Sequence, residues 1–348
     1  MFSTYRPEDV TILLKDITGL VEPLGTQERE RRIQQGCHYS EMLPLEYAPS
    51  EAYMEAYRDA LERFAEKTAK AVASAAEKIS LQKGDSIVLV SLARAGTPIG
   101  ILLKHYLERY CNAKVQHYTI SIIRGKGIDK QAMRYILARH DAKQIQFVDG
   151  WTGKGAIQRE LSRAMQDFPE VDAGLAVLAD PAGTASICGT REDILIASSC
   201  LNSTVSGLLS RTFLRPDIIG PEDFHGAMFY REWMAQDLTY SFLEAIERFL
   251  EKGSPKPEKE PDRKGLEETE MIARHFGIKD INLVKPGIGE ATRVLLRRVP
   301  WKILVHSASD PENLGHIYQL AREKGVEVME YPMQNYKACG IIQSLADQ

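Results

Sequence analysis

The residues best suited to chemistry sit where apolar runs end. Residues 145–157 read IQFVDGWTGKGAI: an apolar run stops at Asp149, and Gly150, Trp151, Thr152, Gly153, Lys154 and Gly155 lead into a new apolar pattern. Strand, glycine turn and helix start together place backbone N–H groups and a helix dipole where they can hold a phosphate. An ordinary βα turn has the same composition. SLARAGTPIG (91–100) repeats the arrangement, with Arg94 inside it and Ala95 and Gly96 at the turn. SIIRGKGIDK (121–130) is a basic, glycine-bearing loop carrying Arg124 and Lys126. SSCLNSTVSG (198–207) follows an apolar run and holds Cys200, where a helix N-terminus would favour the thiolate. His225, in DFHGAMF, is a candidate base for that thiol, and Asp237 a candidate orienting acid. Against this, free cysteine commonly packs as a small hydrophobe. A second pairing, Cys37 with His38, joins neighbours that point apart on an extended chain.

These stretches need a parallel sheet to bring them together. The pattern predicts helices over 51–78, 98–110, 130–139 and 156–166. It predicts strands over 87–91, 114–120, 145–149, 174–178 and 194–197. Such alternation implies an α/β fold with a parallel sheet covered on both faces, and ligands then bind at the C-terminal strand ends. With 348 residues, 44% hydrophobic, the chain can build two domains. Its net charge of -4 provides no global field toward nucleic acid or membrane. The first twenty residues mix acids and bases, and no run reaches spanning length, so the expectation is a cytoplasmic protein without signal peptide or membrane anchor. Five cysteines without a CxxC pair, and eight histidines without HxH or HxxxH, exclude a disulfide framework and a zinc cage; no residue is assigned to a metal. Residues 251–264, EKGSPKPEKEPDRK, read as a solvated linker between a domain at 1–250 and a smaller one at 265–348.

Val148-Asp149 followed by Thr152-Gly153-Lys154-Gly155, together with Leu92-Ala93-Arg94-Ala95-Gly96, resembles the phosphate and pyrophosphate loops of type I phosphoribosyltransferases. The resemblance implies that Asp149 holds ribose hydroxyls and the turn amides hold a 5′-phosphate. Arg94, magnesium and a closing loop with Arg124 and Lys126 would then stabilise the pyrophosphate leaving phosphoribosyl pyrophosphate, or bind a related sugar phosphate. Magnesium would be held mainly through the pyrophosphate. Family members commonly carry two adjacent acids, and Gly150 stands where the second would be.

Over nearly its whole length, with HYSEMLP (38–44) and DFHGAMFY (223–230), the chain resembles a bacterial family associated with tellurite-resistance stress operons. That family joins a phosphoribosyltransferase-like domain to a Pelota-like RNA-binding tail, and it also carries the label cysteine protease StiP. Three functions follow from the resemblance. The first is a phosphoribosyl pyrophosphate-dependent transferase in a stress response, its acceptor set by a hood at 1–50 and 181–232. The second is a cysteine protease using Cys200 with His225 and Asp237. The third is a non-catalytic, nucleotide-sensing, RNA-binding regulator. A homodimer is compatible with each.

Beyond the linker, helices at 267–276, 290–298 and 313–323 alternate with strands at 281–284, 302–306 and 326–328. This αβα pattern with KPGIGEATRVLLRR (285–298) resembles the Pelota fold, and the resemblance assigns Lys285, Gly287, Gly289, Glu290 and Arg293 to RNA. Lys279, Lys285, Arg293, Arg297, Arg298 and Lys302 face only Asp280 and Glu290 in this stretch, a local basic surface suited to phosphates. A solvated helix face would carry Arg293 and Arg297 equally well. Few aromatics accompany the charges, which favours structured RNA over a bare single strand.

Overall fold

The computed structural model describes residues 2–253 and 260–343; of the expected linker, residues 254–259 lie outside the described residues. The first domain contains β1 (Thr11–Ile12), β2 (Lys15–Asp16), α1 (Thr26–Gln34), α2 (Glu51–Lys83), β3 (Ser86–Leu92), α3 (Gly96–Tyr110) and β4 (Lys114–Ile120). A small hairpin, β5 (Ile122–Ile123) and β6 (Gly127–Ile128), precedes α4 (Lys130–Leu137), β7 (Ile145–Val148), α5 (Ala156–Ala164), β8 (Leu175–Ala179) and β9 (Ile187–Thr190). It closes with β10 (Gly226–Ala227) and α6 (Thr239–Glu247).

Six of these strands form one sheet in the order β1-β4-β3-β7-β8-β9, with every pairing parallel. The apolar runs IVLVSL, IQFV and LAVLA are buried throughout, as strands covered on both faces must be. Helices α2, α3 and α6 pack on one face, and α4 with α5 on the other. Alanines on α2 let it approach the sheet closely: a Cβ at Gly189 in β9 would sit 2.2 Å from the Ala71 carbonyl. The expected strand at 194–197 is not formed. The edge strand is β9, and Ile194, Leu195, Ile196 and Ala197 are buried in the core that extends into the second domain. An apolar run without alternation says that it is buried, and leaves open against what.

The second domain contains α7 (Lys264–His275), β11 (Val284–Pro286), α8 (Ile288–Arg297), β12 (Pro300–Val305), α9 (Pro311–Glu323), β13 (Glu327–Glu330) and β14 (Ala338–Ile342). Its sheet runs β11-β14-β12-β13. The strand absent from the sequence reading is β14, a short apolar run that lies inside the sheet, antiparallel to both neighbours. Helix α7 covers one sheet face. On the other face α8 and α9 contribute Ile288, Val294, Leu295, Leu314 and Ile317 to a hydrophobic cluster shared with α2, α3 and the first sheet. One apolar core therefore runs through both domains.

Candidate functional site

The strand order reverses at the β3–β7 junction, since β3 continues to β4 on one side and β7 to β8 and β9 on the other. Crevices form at such a reversal, beyond the C-terminal ends of the strands. A cavity of about 180 Å³ lies here, lined by Arg94, Asp149, Trp151, Ser199, Asn202 and Arg293 among others. The turns after β3 and β7 and the basic hairpin, which supplies Ile122, are thus brought together as expected. So is Arg293, from the second domain.

The electrostatics differ from those of a cradle for a sugar phosphate. Burial pushes the Asp149 carboxyl up to about 7, partly opposed by the Gly150 N–H that donates to it. Arg94 is neutralised by the hood: it pairs with Glu46 at 2.8 Å and donates to the Leu209 carbonyl at 2.9 Å. Glu46 had no signal in its sequence surroundings. Ser198 and Ser199 line the same cavity, and among the described residues the Ser198 hydroxyl has no hydrogen-bond partner.

The glycine turn after β7 is occupied by the second domain. Lys154 Nζ donates to the carbonyls of Ile281 (2.6 Å) and Val284 (3.1 Å). The Tyr336 hydroxyl donates to the Gly153 carbonyl at 2.7 Å, and a Cβ on Gly153 would lie 3.8 Å from Glu290 and from the Pro286 carbonyl. Thr152 donates to Asp180, which also accepts from the amides of Thr184 and Ala185 and pairs with Arg191. Gly155 has φ +67° as the residue before α5, with Thr184 packed against it. At 155 the positive φ and Thr184 together require glycine, whereas a Cβ at 153 would make only ordinary contact with the tail. Ala95 and Gly96 open α3, and a Cβ at Gly96 would meet the Val148 carbonyl at 2.5 Å, so this glycine serves strand–helix packing.

Arg124 and Lys126 are exposed on the β5–β6 hairpin. The Arg124 amide donates to the Tyr39 hydroxyl at 2.9 Å and the Gly125 amide to Glu160 at 2.9 Å, while Lys126 lies 3.8 Å from Glu41.

The expected thiol triad is not assembled. Cys200 ends a 3-10 turn over Ala197–Cys200, with no α-helix after it, so the expected dipole assistance is missing. Its thiol is fully buried against the Ala56 carbonyl, and burial pushes it up to about 12. The His225 ring bonds the Ser121 hydroxyl at 2.8 Å, and Asp237 accepts from the amide and hydroxyl of Thr239 at the start of α6. Among the five cysteines, Cys188 and Cys339 are also buried, Cys111 is half-buried beside Glu77, and Cys37 alone is exposed.

The tail residues expected to meet RNA stand at the domain seam. Asp193, from the first domain, accepts the Ile288 amide at the start of α8 and the Lys337 amide at 2.9 Å; burial pushes its carboxyl up to about 6. A Cβ at Gly289 would lie 3.0 Å from the Ser199 hydroxyl. Gly287, at φ +100°, is 3.4 Å from Asp193 by the same measure. Glu290 pairs with Arg293 at 3.1 Å. Arg297 faces inward, donating to the Cys200 carbonyl and to Asn202. Lys279 and Arg298 remain exposed, Lys285 half-buried. Among the described residues no group of three or more His, Cys, Asp or Glu gathers as a metal site, and no helix is long and apolar enough to cross a membrane.

Fold and seam together define a doubly wound α/β domain clasped to a small α/β tail. The family described as Tellurite-like stress resistance cysteine protease StiP matches residues 3–247, and the PELOTA RNA binding domain matches residues 263–344. The chain is 35% identical to the Cysteine protease StiP of Acinetobacter baylyi over 364 residues, 98% of this chain and 94% of that protein. It belongs to the StiP family. Solved structures similar to part of it include a hypoxanthine-guanine phosphoribosyltransferase from Bacillus anthracis (18% identity, 33% of this chain and 68% of that one, TM-score 0.24). Another is a xanthine-guanine-hypoxanthine phosphoribosyltransferase from Helicobacter pylori (20%, 34% and 73%, TM-score 0.25). The expectation of a phosphoribosyl pyrophosphate-dependent transferase is corrected by the family assignment, which attaches a thiol protease label to nearly the full chain. The glycine turn after β7 is engaged in domain docking, and Arg94 of the turn after β3 is held by Glu46 and Leu209 of the first domain.

Proposed function

We propose that the first domain is a thiol-dependent peptidase whose nucleophile is Cys37, and that the second domain binds structured RNA. The observation that carries the first part is exposure: a nucleophile must reach a peptide carbonyl, and of the five thiols only Cys37 stands in solvent. Arg215, ion-paired with Asp217, lies within electrostatic reach of its sulfur. His38 follows it, with Nδ1 held by Ser40 at 2.8 Å and Nε2 turned toward Gly125 of the hairpin. In this reading the Cys37 thiol gives its proton to water, its sulfur attacks the carbonyl carbon, the amine leaves with a proton returned by water, and a second water hydrolyses the thioester to the acid and the free thiol.

The test is cleavage of a quenched peptide library by wild type, Cys37→Ser and Cys200→Ser. Loss of cleavage in Cys37→Ser, with Cys200→Ser active, is the expected outcome. Full activity in Cys37→Ser would refute the assignment. RNA binding is supported by the PELOTA match and by the cations of residues 279–302 that remain exposed.

A further inference from the structure

The cations of the tail do not stand alone. The cavity at the switch point is walled by Ile122 of the β5–β6 hairpin and by Arg293 of α8, so hairpin and tail flank one opening. Lys154 reaches across the seam to the carbonyl of Val284, the residue before Lys285. Desolvation lowers Lys285, and the cations Arg124, Arg298 and Arg293 lower it further, against Glu290. Lys154 is lowered in the same way, by desolvation and then by Lys285 and Arg124. Positive charge from two domains is therefore concentrated at one place on a chain that is acidic overall. The acids nearby are fewer than the cations: Glu290 serves Arg293, Lys285 and Lys154, Asp280 acts on Lys154, Glu160 holds the Gly125 amide, and Glu41 lies near Lys126. Such crowding of like charge opposes folding unless a polyanion relieves it.

We infer that structured RNA is gripped across the domain seam, by Arg124 and Lys126 of the first domain together with Lys285, Arg293 and Arg298 of the second. The inference rests on the RNA-binding reading of the tail and extends it to the docked, two-domain molecule. The hairpin suits the task. Its backbone is fastened at Arg124 by Tyr39 and at Gly125 by Glu160, while both basic side chains stand exposed. A fixed loop presenting exposed cations positions a phosphate backbone without reading bases.

The experiment uses the full chain and a bulged RNA hairpin, with binding followed by fluorescence anisotropy over a salt series. The variants are Arg124→Glu with Lys126→Glu, Lys285→Glu, and Lys143→Glu, an exposed cation just before β7 at the opposite end of the sheet. The double hairpin variant should bind roughly tenfold more weakly or worse, and its salt slope should fall by about 1.5, near 0.7–0.9 for each phosphate no longer neutralised. Lys285→Glu should also weaken binding, and Lys143→Glu should not. If Lys285→Glu weakens binding while the double variant binds like wild type, the seam is refuted and the RNA reading stands. Equal weakening by Lys143→Glu reduces the effect to net charge and also refutes the seam. No binding of wild type at low salt overturns the RNA reading itself.

Discussion

Thiol labelling of the native protein separates the two candidate nucleophiles without a substrate. Cys200 is pushed up to about 12 by burial. At pH 7.5 a free thiol of pKa near 8.5 is about 10% thiolate, and one at about 12 is about 0.003% thiolate, a ratio of roughly 3,000. The more basic thiolate is also the better nucleophile; a Brønsted slope of about 0.45 returns a factor of roughly 40. Cys200 should therefore react with iodoacetamide about 100-fold more slowly than a free thiol, before its complete burial slows it further. Cys37, exposed, should be labelled first. The assay is site-resolved mass spectrometry over time, with a denatured sample in which all five cysteines react. Native Cys200 modified at the pace of Cys37 would show that the packing around it opens freely, and the case against Cys200 would fail.

Asp149 has a folded-state pKa raised to about 7, so the folded protein binds its proton more tightly than the unfolded chain. Its stabilising effect is fully present below pH 4 and lost as pH rises toward 7. Asp149→Asn keeps an acceptor for the Gly150 amide and should raise the melting temperature at pH 8 while changing it little at pH 4; an equal shift at both would exclude a buried charge as the cause. Tyr336→Phe removes the bond to the Gly153 carbonyl across the seam and should cost about 1 kcal/mol in urea unfolding. Because one apolar cluster joins the domains, that loss should appear in a single shared transition, and two resolved transitions would contradict the shared core.

The parallel sheet was legible because burial on both faces writes itself as uninterrupted apolar runs. Strands 86–92 and 145–148 stand where such runs lie, and strand 114–120 where an alternating, half-polar run lies. Legibility failed where burial is not sheet pairing. Ile194–Ala197 is as apolar as a strand, but its partners include residues of a helix nearly a hundred positions later. Strand β14 was missed for the converse reason: its place inside the sheet depends on both neighbours. Arg94, Asp149 and Trp151, which line the cavity, lie in local motifs of the sequence. Glu46, Asp193 and Tyr336 act over separations that local spacing does not encode.

The turn at 149–155 shows how one motif can carry two physical meanings. Glycines after a strand admit close approach, and a phosphate is only one of the things that can approach. Here a second domain does. Lys154 is spent on two tail carbonyls, the Gly153 carbonyl accepts a tail hydroxyl, and the start of α8 meets Asp193 rather than a free anion. A carboxylate at a helix start satisfies the same N–H groups and the same dipole that a phosphate would. The tail is therefore held at its helix start, at its last strand and through a shared core. Arg124, Lys126 and Arg298 are left exposed around the seam, and exposed cations of that kind set where a polyanion can land on the docked molecule.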